Sequence, residues 1–170
     1  MNRFVLVFLI ATFSIPSIAI EGMAVLDRQQ AILATQYAQD KFKALDEDED
    51  YSSDLEEFRS LDASRQSIAE KLQKEAETLS QDEIVDLQRE FQEVTKELEF
   101  IGGKLQSARQ ATVESIATDL NQSFSKIISE LVQAKQITVL LPREATLYIA
   151  PAVDITDDVT SLMDVAAQSE

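Results

Sequence analysis

The chain has 170 residues and a formal net charge of −16, from 31 acidic and 15 basic side chains, with neither histidine nor cysteine. Without imidazole or thiol, the usual zinc sites, cysteine nucleophiles and serine–histidine dyads cannot be built, so no enzyme, cofactor or metal site is expected. An acidic surface repels nucleic acid and anionic lipid headgroups, which disfavours both as partners.

The N-terminus reads as a secretory signal over residues 1–19. Met1-Asn2-Arg3 is a short basic start, Phe4 to Ile15 is almost unbroken apolar sequence, and Ser17-Ile18-Ala19 supplies the small residues of a cleavage site after Ala19. The apolar stretch is shorter than the ~20 residues of a spanning helix, and no later segment is long enough either, so stable membrane insertion is not expected. Losing Arg3 makes the mature charge −17 (14 basic minus 31 acidic). Only three glycines and three prolines interrupt the chain, so helix should dominate.

In chain order, Met23-Ala24-Val25-Leu26 reads as a short strand. A helical stretch follows from about Arg28 to Lys43, with Ile32, Leu33, Ala38 and Phe42 on its apolar face. The run Asp46-Glu47-Asp48-Glu49-Asp50 reads as a solvated break. Its acids also fit part of an EF-hand spacing, with Asp46, Asp48, Asp50, Asp54 and Glu57 at ligand positions. However, Tyr51 stands where the sharp turn needs glycine, which favours the linker reading.

An ascending helix begins near Asp54 and carries Phe58, Leu61, Ile68, Leu72, Ala76 and Leu79, with Arg65 in the seam. At Ser80-Gln81-Asp82-Glu83 a capping box marks a restart, read as the tip of an antiparallel hairpin. The descending helix then runs from about Gln81 to Ala134. Ile84, Leu87, Phe91, Val94, Leu98, Ile101, Leu105 and Ala108 alternate in steps of three and four, the seam of a coiled coil. Phe58, Phe91, Leu98 and Ile101 are therefore read as coiled-coil core in preference to contacts with a partner. Gly102-Gly103 interrupts this helix at ~1 kcal/mol per glycine. Two readings stay open for the pair: an arm hinge, or close helix packing or a tolerated kink. The ascending arm is shorter than the descending one, so the inner part of the latter needs another partner, either the first helical stretch or neighbouring subunits.

Ile137-Thr138-Val139-Leu140-Leu141 and Ala145-Thr146-Leu147-Tyr148-Ile149, with Pro142-Arg143-Glu144 between them, read as a β-hairpin. Three short strands leave exposed edges and too little apolar area for independent stability, so association of several copies is expected. Ala24, Val25, Leu26, Ile137, Val139, Leu141, Leu147 and Ile149 are the candidate residues of that oligomeric body. Asp154-Ile155-Thr156-Asp157-Asp158-Val159 opens a last helix, capped by Thr156 or Asp154, and Leu162, Met163 and Val165 are expected to pack on the body.

This order of segments resembles the Skp/OmpH family of periplasmic chaperones. Ile20 to Asp27 is similar to the family's first strand, and 54–134 to its tentacle helices. The runs Ile137–Leu141, Glu144–Tyr148 and Asp154–Asp157 are similar to its C-terminal body motif. The resemblance implies a mainly α fold with a small β body, assembled as a jellyfish-like homotrimer. The body would comprise 20–44 and 135–170, and the coiled-coil arm 45–134 with its tip near 80–83. It also implies a periplasmic, ATP-independent holdase for unfolded outer-membrane β-barrel proteins. An exported coiled-coil scaffold without chaperone activity is the alternative.

One departure from the family is charge. Residues 46–99 hold 19 acidic and 6 basic side chains, a net of −13, and the tip 80–83 has no lysine or arginine. Lipopolysaccharide binding, tied to basic arms in relatives, is not carried over, and no client-binding residue is assigned.

Overall fold

A computed structural model describes residues 22–167; the signal-sequence reading of 1–19 and Ile20 lie outside them. The elements are β1 (Met23–Leu26), α1 (Arg28–Leu33), α2 (Gln36–Asp46), α3 (Glu49–Lys74), α4 (Gln81–Asp119), α5 (Asn121–Ala134), β2 (Val139–Pro142) and α6 (Thr156–Ala167). Short 3₁₀ turns lie at Arg143–Ala145 and Pro151–Val153.

Side-chain caps divide the helical sequence. Asp27 accepts from the Gln30 N–H, Thr35 from Ala38, and Asp48 from Tyr51, each satisfying an otherwise orphan donor. Thr35 thus splits the single helix expected over 28–43 into α1 and α2. Asp48 does the same inside the acidic run and starts α3 earlier than Asp54. Residues 49–54 are helical, so they cannot wrap a cation as an EF-hand loop does.

The arm is the antiparallel pair α3 and α4, of 26 and 39 residues. At 1.5 Å per residue they extend ~39 and ~58 Å. Ile68, Leu98, Ile101 and Leu105 are buried along it, while Phe58 and Phe91 are half-buried. The inner part of α4 packs on α1 and α2, the first of the two partners its length called for. At the tip the Ser80 hydroxyl accepts from the Glu83 N–H at 3.3 Å, and the Glu83 carboxylate accepts from the Ser80 N–H at 2.8 Å. A hydrogen bond from the Ser80 hydroxyl, then the one from the Ser80 N–H, lowers the Glu83 carboxyl below its usual value.

The descending helix is interrupted once, at Leu120, between α4 and α5. Helical hydrogen bonding continues through it: the Leu120 N–H reaches Ile116 O at 3.0 Å, and Phe124 N–H reaches Leu120 O at 2.9 Å. α5 ends where Gln136 adopts the left-handed region (φ 54) and the Ile137 N–H returns to Val132 O.

The sheet differs from expectation. β1 pairs with β2 in parallel, Met23 opposite Val139 and Leu26 opposite Pro142, so the whole arm is the crossover between two short strands. The expected hairpin over 137–149 does not form. Pro142 has no N–H to continue a ladder, and the 3₁₀ turn after it carries the chain away from β2. The Arg143 guanidinium then pairs with Asp154 at 2.7 Å, and Asp154 bridges to Val25 on the other side of β1. β1 thereby has partners on both edges, whereas among the described residues β2 has one on a single edge. Gly22 sits at φ 87 with its carbonyl accepting from Thr138 and Val139; a Cβ there would lie 2.5 Å from Thr138 Oγ1. Only glycine fits.

The body core gathers one side chain or more from nearly every element: Ala24 and Leu26 from β1, Ile32 from α1, Ile116 from α4, and Phe124, Ile127 and Leu131 from α5. Ile155, with Val159 and Met163 of α6, closes it. The steps of three and four in α5, and of four from Ile155 to Met163, put each set on one face.

Candidate functional site

Among the described residues, surfaces open to a partner include the body edge at β2, the segment after it, and a groove at the base of the arm. The sequence-assigned body residues divide between core and surface. Ala24, Val25 and Leu26 are buried within the chain itself, and Ile137 packs half-buried against the same core. Leu141 and Ile149 are half-buried, Val139 is 43% exposed, and Leu147 is fully exposed. Tyr148, beside Leu147, is 84% exposed and was not among the sequence candidates for the body.

The C-terminal segment is fastened to the N-terminal one by a polar joint. The buried Thr156 hydroxyl accepts from the Asp27 N–H at 3.0 Å and donates to Asp154 at 2.6 Å; Thr160 donates to Ala31 O at 3.0 Å. Burial raises the Asp154 carboxyl, but hydrogen bonds from Thr156 and Arg143, with the Arg143 charge, together bring it below its usual value. At the body–arm junction the Tyr37 hydroxyl donates to Asp119 at 2.7 Å, with Lys41 at 3.6 Å. The Tyr37 hydrogen bond, then Lys41, holds the Asp119 carboxyl low.

The arm glycines occupy different environments. Both are helical, inside α4. A Cβ on Gly102 would stand 3.4 Å from Phe58 Cε2, whereas one on Gly103 would meet nothing within 4 Å. Gly102 thus lets the Phe58 ring approach the α4 backbone, and only Gly103 is left without a packing reason.

Gly103 opens into a groove of ≈ 900 Å³ between the end of α2, the start of α3 and the middle of α4. Its apolar surface comes chiefly from Leu45, Phe100, Ala108 and Ala111, and Asp48, Asp50, Asp54 and Glu99 stand around it. Phe100 is 67% exposed, although the neighbouring seam residues Leu98, Ile101 and Leu105 are buried. It lies one residue before Ile101, off the heptad, and that offset is the signal by which sequence reasoning could have found it.

Among the described residues there is no cluster of acidic side chains arranged to hold a metal ion, and no helix long and apolar enough to cross a membrane.

The family model described as outer membrane protein (OmpH-like) matches residues 22–163. A Skp-like protein of Pseudomonas aeruginosa is 23% identical over 142 residues, covering 84% of this chain and 83% of that protein. A crystal structure from Caulobacter crescentus CB15, described as a candidate outer membrane chaperone (OmpH-like), matches with a TM-score of 0.50. It is 22% identical and covers 87% of this chain and 86% of the other, a likeness that speaks for the fold. With the match spanning β1, the whole arm and most of α6, the chain belongs to the OmpH-like family.

Proposed function

We propose that this protein is a periplasmic, ATP-independent holdase chaperone that binds unfolded outer-membrane β-barrel proteins between its arms and prevents their aggregation. The observation that carries this reading is the combination of a long helical arm with a body whose described residues leave apolar groups and a strand edge uncovered. Leu147 and Tyr148 are exposed, and β2 has one edge with no partner among the described residues. Three copies joined at that edge would cover these groups and set three arms around a cavity. Family membership and the outer membrane chaperone description of the Caulobacter relative support the same reading.

The physics of the client fits the device. An unfolded barrel protein has amphipathic strands and open backbone edges that aggregate in water. Enclosure by several arms supplies many weak contacts, so retention is firm overall while each contact releases easily. The test is dilution of a urea-denatured barrel protein into buffer with the purified mature chain, followed by light scattering. Suppression at a small trimer excess without ATP is expected. Unchanged scattering would reject the holdase and favour an envelope scaffold.

A further inference from the structure

Resting on that holdase reading, we propose that the groove at the arm base is a client-docking site selective for segments carrying lysine or arginine beside an apolar side chain. Three features of the groove lead there. Its surface is apolar and includes Phe100, the largest exposed apolar side chain among the described residues of the arm, next to the gap left by Gly103. Its rim is acidic: Asp48, Asp50, Asp54 and Glu99 face one cation, Lys104, a net of −3 (one basic minus four acidic). That cation is already engaged, because Lys104 Nζ lies 2.6 Å from Asp54 Oδ1.

The remaining rim charges have different duties. Asp48 accepts the Tyr51 N–H as the cap of α3. Asp50 and Glu99 carry no ion pair among the described residues, and are the two carboxylates free to meet an incoming cation.

Charge complementarity then selects the occupant. The groove lies within an arm whose residues 46–99 hold 19 acidic and 6 basic side chains, so the surrounding field repels acidic segments before contact. A cationic segment is drawn in and places an ammonium or guanidinium at Asp50 or at Glu99, with its apolar neighbour against Phe100 and Ala111. A rim of this kind discriminates by charge, while the aromatic surface supplies affinity tolerant of sequence. The acidic arm is thereby a selector of the segments by which a client is held.

The experiment uses the full mature chain and two fluorescent peptides of equal length and apolar content, one carrying three lysines and the other three glutamates. Anisotropy titrations are expected to show the lysine peptide binding at least about tenfold more tightly, with the preference shrinking as salt rises. Phe100→Ala should weaken the lysine peptide about tenfold, and Asp50→Asn with Glu99→Gln about threefold to fivefold, while the glutamate peptide responds little to the charge changes. Phe100 is exposed, so circular dichroism of these variants should match the parent.

Equal binding of the two peptides, or no effect of Phe100→Ala, overturns the proposal. So does a changed oligomeric state of Phe100→Ala in sedimentation, which would make the groove an interface between copies. Suppression of barrel-protein aggregation, measured in parallel, separates the two levels. If it persists while the peptide preference is absent, the groove inference falls and the holdase stands. If it is absent too, both fall.

Discussion

Replacing the two arm glycines separately tests how the arm is packed. In a helix interior alanine is favoured over glycine by ~1 kcal/mol. At Gly103 an added Cβ meets nothing within 4 Å, so Gly103→Ala should realise the full gain, about 1 kcal/mol. At Gly102 the Cβ reaches ordinary contact with the Phe58 ring, 3.4 Å from Cε2 and 4.0 Å from Cδ2, so Gly102→Ala should gain slightly less. The next atoms have no room. Gly102→Ile must push the half-buried Phe58 ring aside, and overpacking of this kind costs about 1–3 kcal/mol, reversing the sign. Urea unfolding followed by far-UV circular dichroism measures all three, at one fixed protein concentration so that any association weighs equally on each. Should Gly102→Ile prove as stable as Gly102→Ala, the Phe58 approach is not why glycine stands there. If Gly102→Ile is destabilised as expected, the hinge proposal rests on Gly103 alone. It requires Gly103→Ala to narrow the spread of arm separations in small-angle scattering, and an unchanged spread rejects it.

Ile116 is completely buried where α4 meets the body, and Ile116→Ala should lower stability by about 2–5 kcal/mol by chemical denaturation. A loss under 1 kcal/mol would mean that the body core is assembled differently. Ser80→Ala removes the tip cap at a local cost of about 0.5–2 kcal/mol. Hydrogen exchange should rise at 80–84 while protection in the body stays constant, and uniform acceleration would contradict a locally folded tip. Asp154 has a folded-state pKa below its ordinary value, so its stabilisation is present above the unfolded-state pKa and is lost as pH falls through the folded one. The stability gap between parent and Asp154→Asn should therefore be widest near neutral pH and shrink on acidification. A constant gap would show that the carboxylate charge is not what the joint uses.

The arm was legible because its information is local and periodic. Steps of three and four place Leu98, Ile101 and Leu105 on one face, and the capping box at Ser80 and Glu83 marks a helix start. The division of the first helix was less visible. Thr35 looks like any mid-helix threonine until its hydroxyl is seen capping Ala38. The sheet was misread for a different reason. Two β-prone runs separated by Pro142-Arg143-Glu144 suggest a hairpin, but pairing of Val139 with Met23 depends on a contact 116 residues distant in sequence, which no local pattern records. Likewise Leu147 and Ile149 are apolar at alternating positions, yet the single chain gives Leu147 nothing to pack on. The groove was missed because Phe100 falls outside the seam, and a reading organised by the seam passes over it.

Native mass spectrometry of the mature chain mixed with an unfolded outer-membrane β-barrel protein addresses the holdase most directly, since it reads subunit number and client occupancy together. The expected species is one client with three copies of the chain, formed without nucleotide. A chain that stays monomeric, or a trimer that carries no client under conditions where the client alone aggregates, would contradict it.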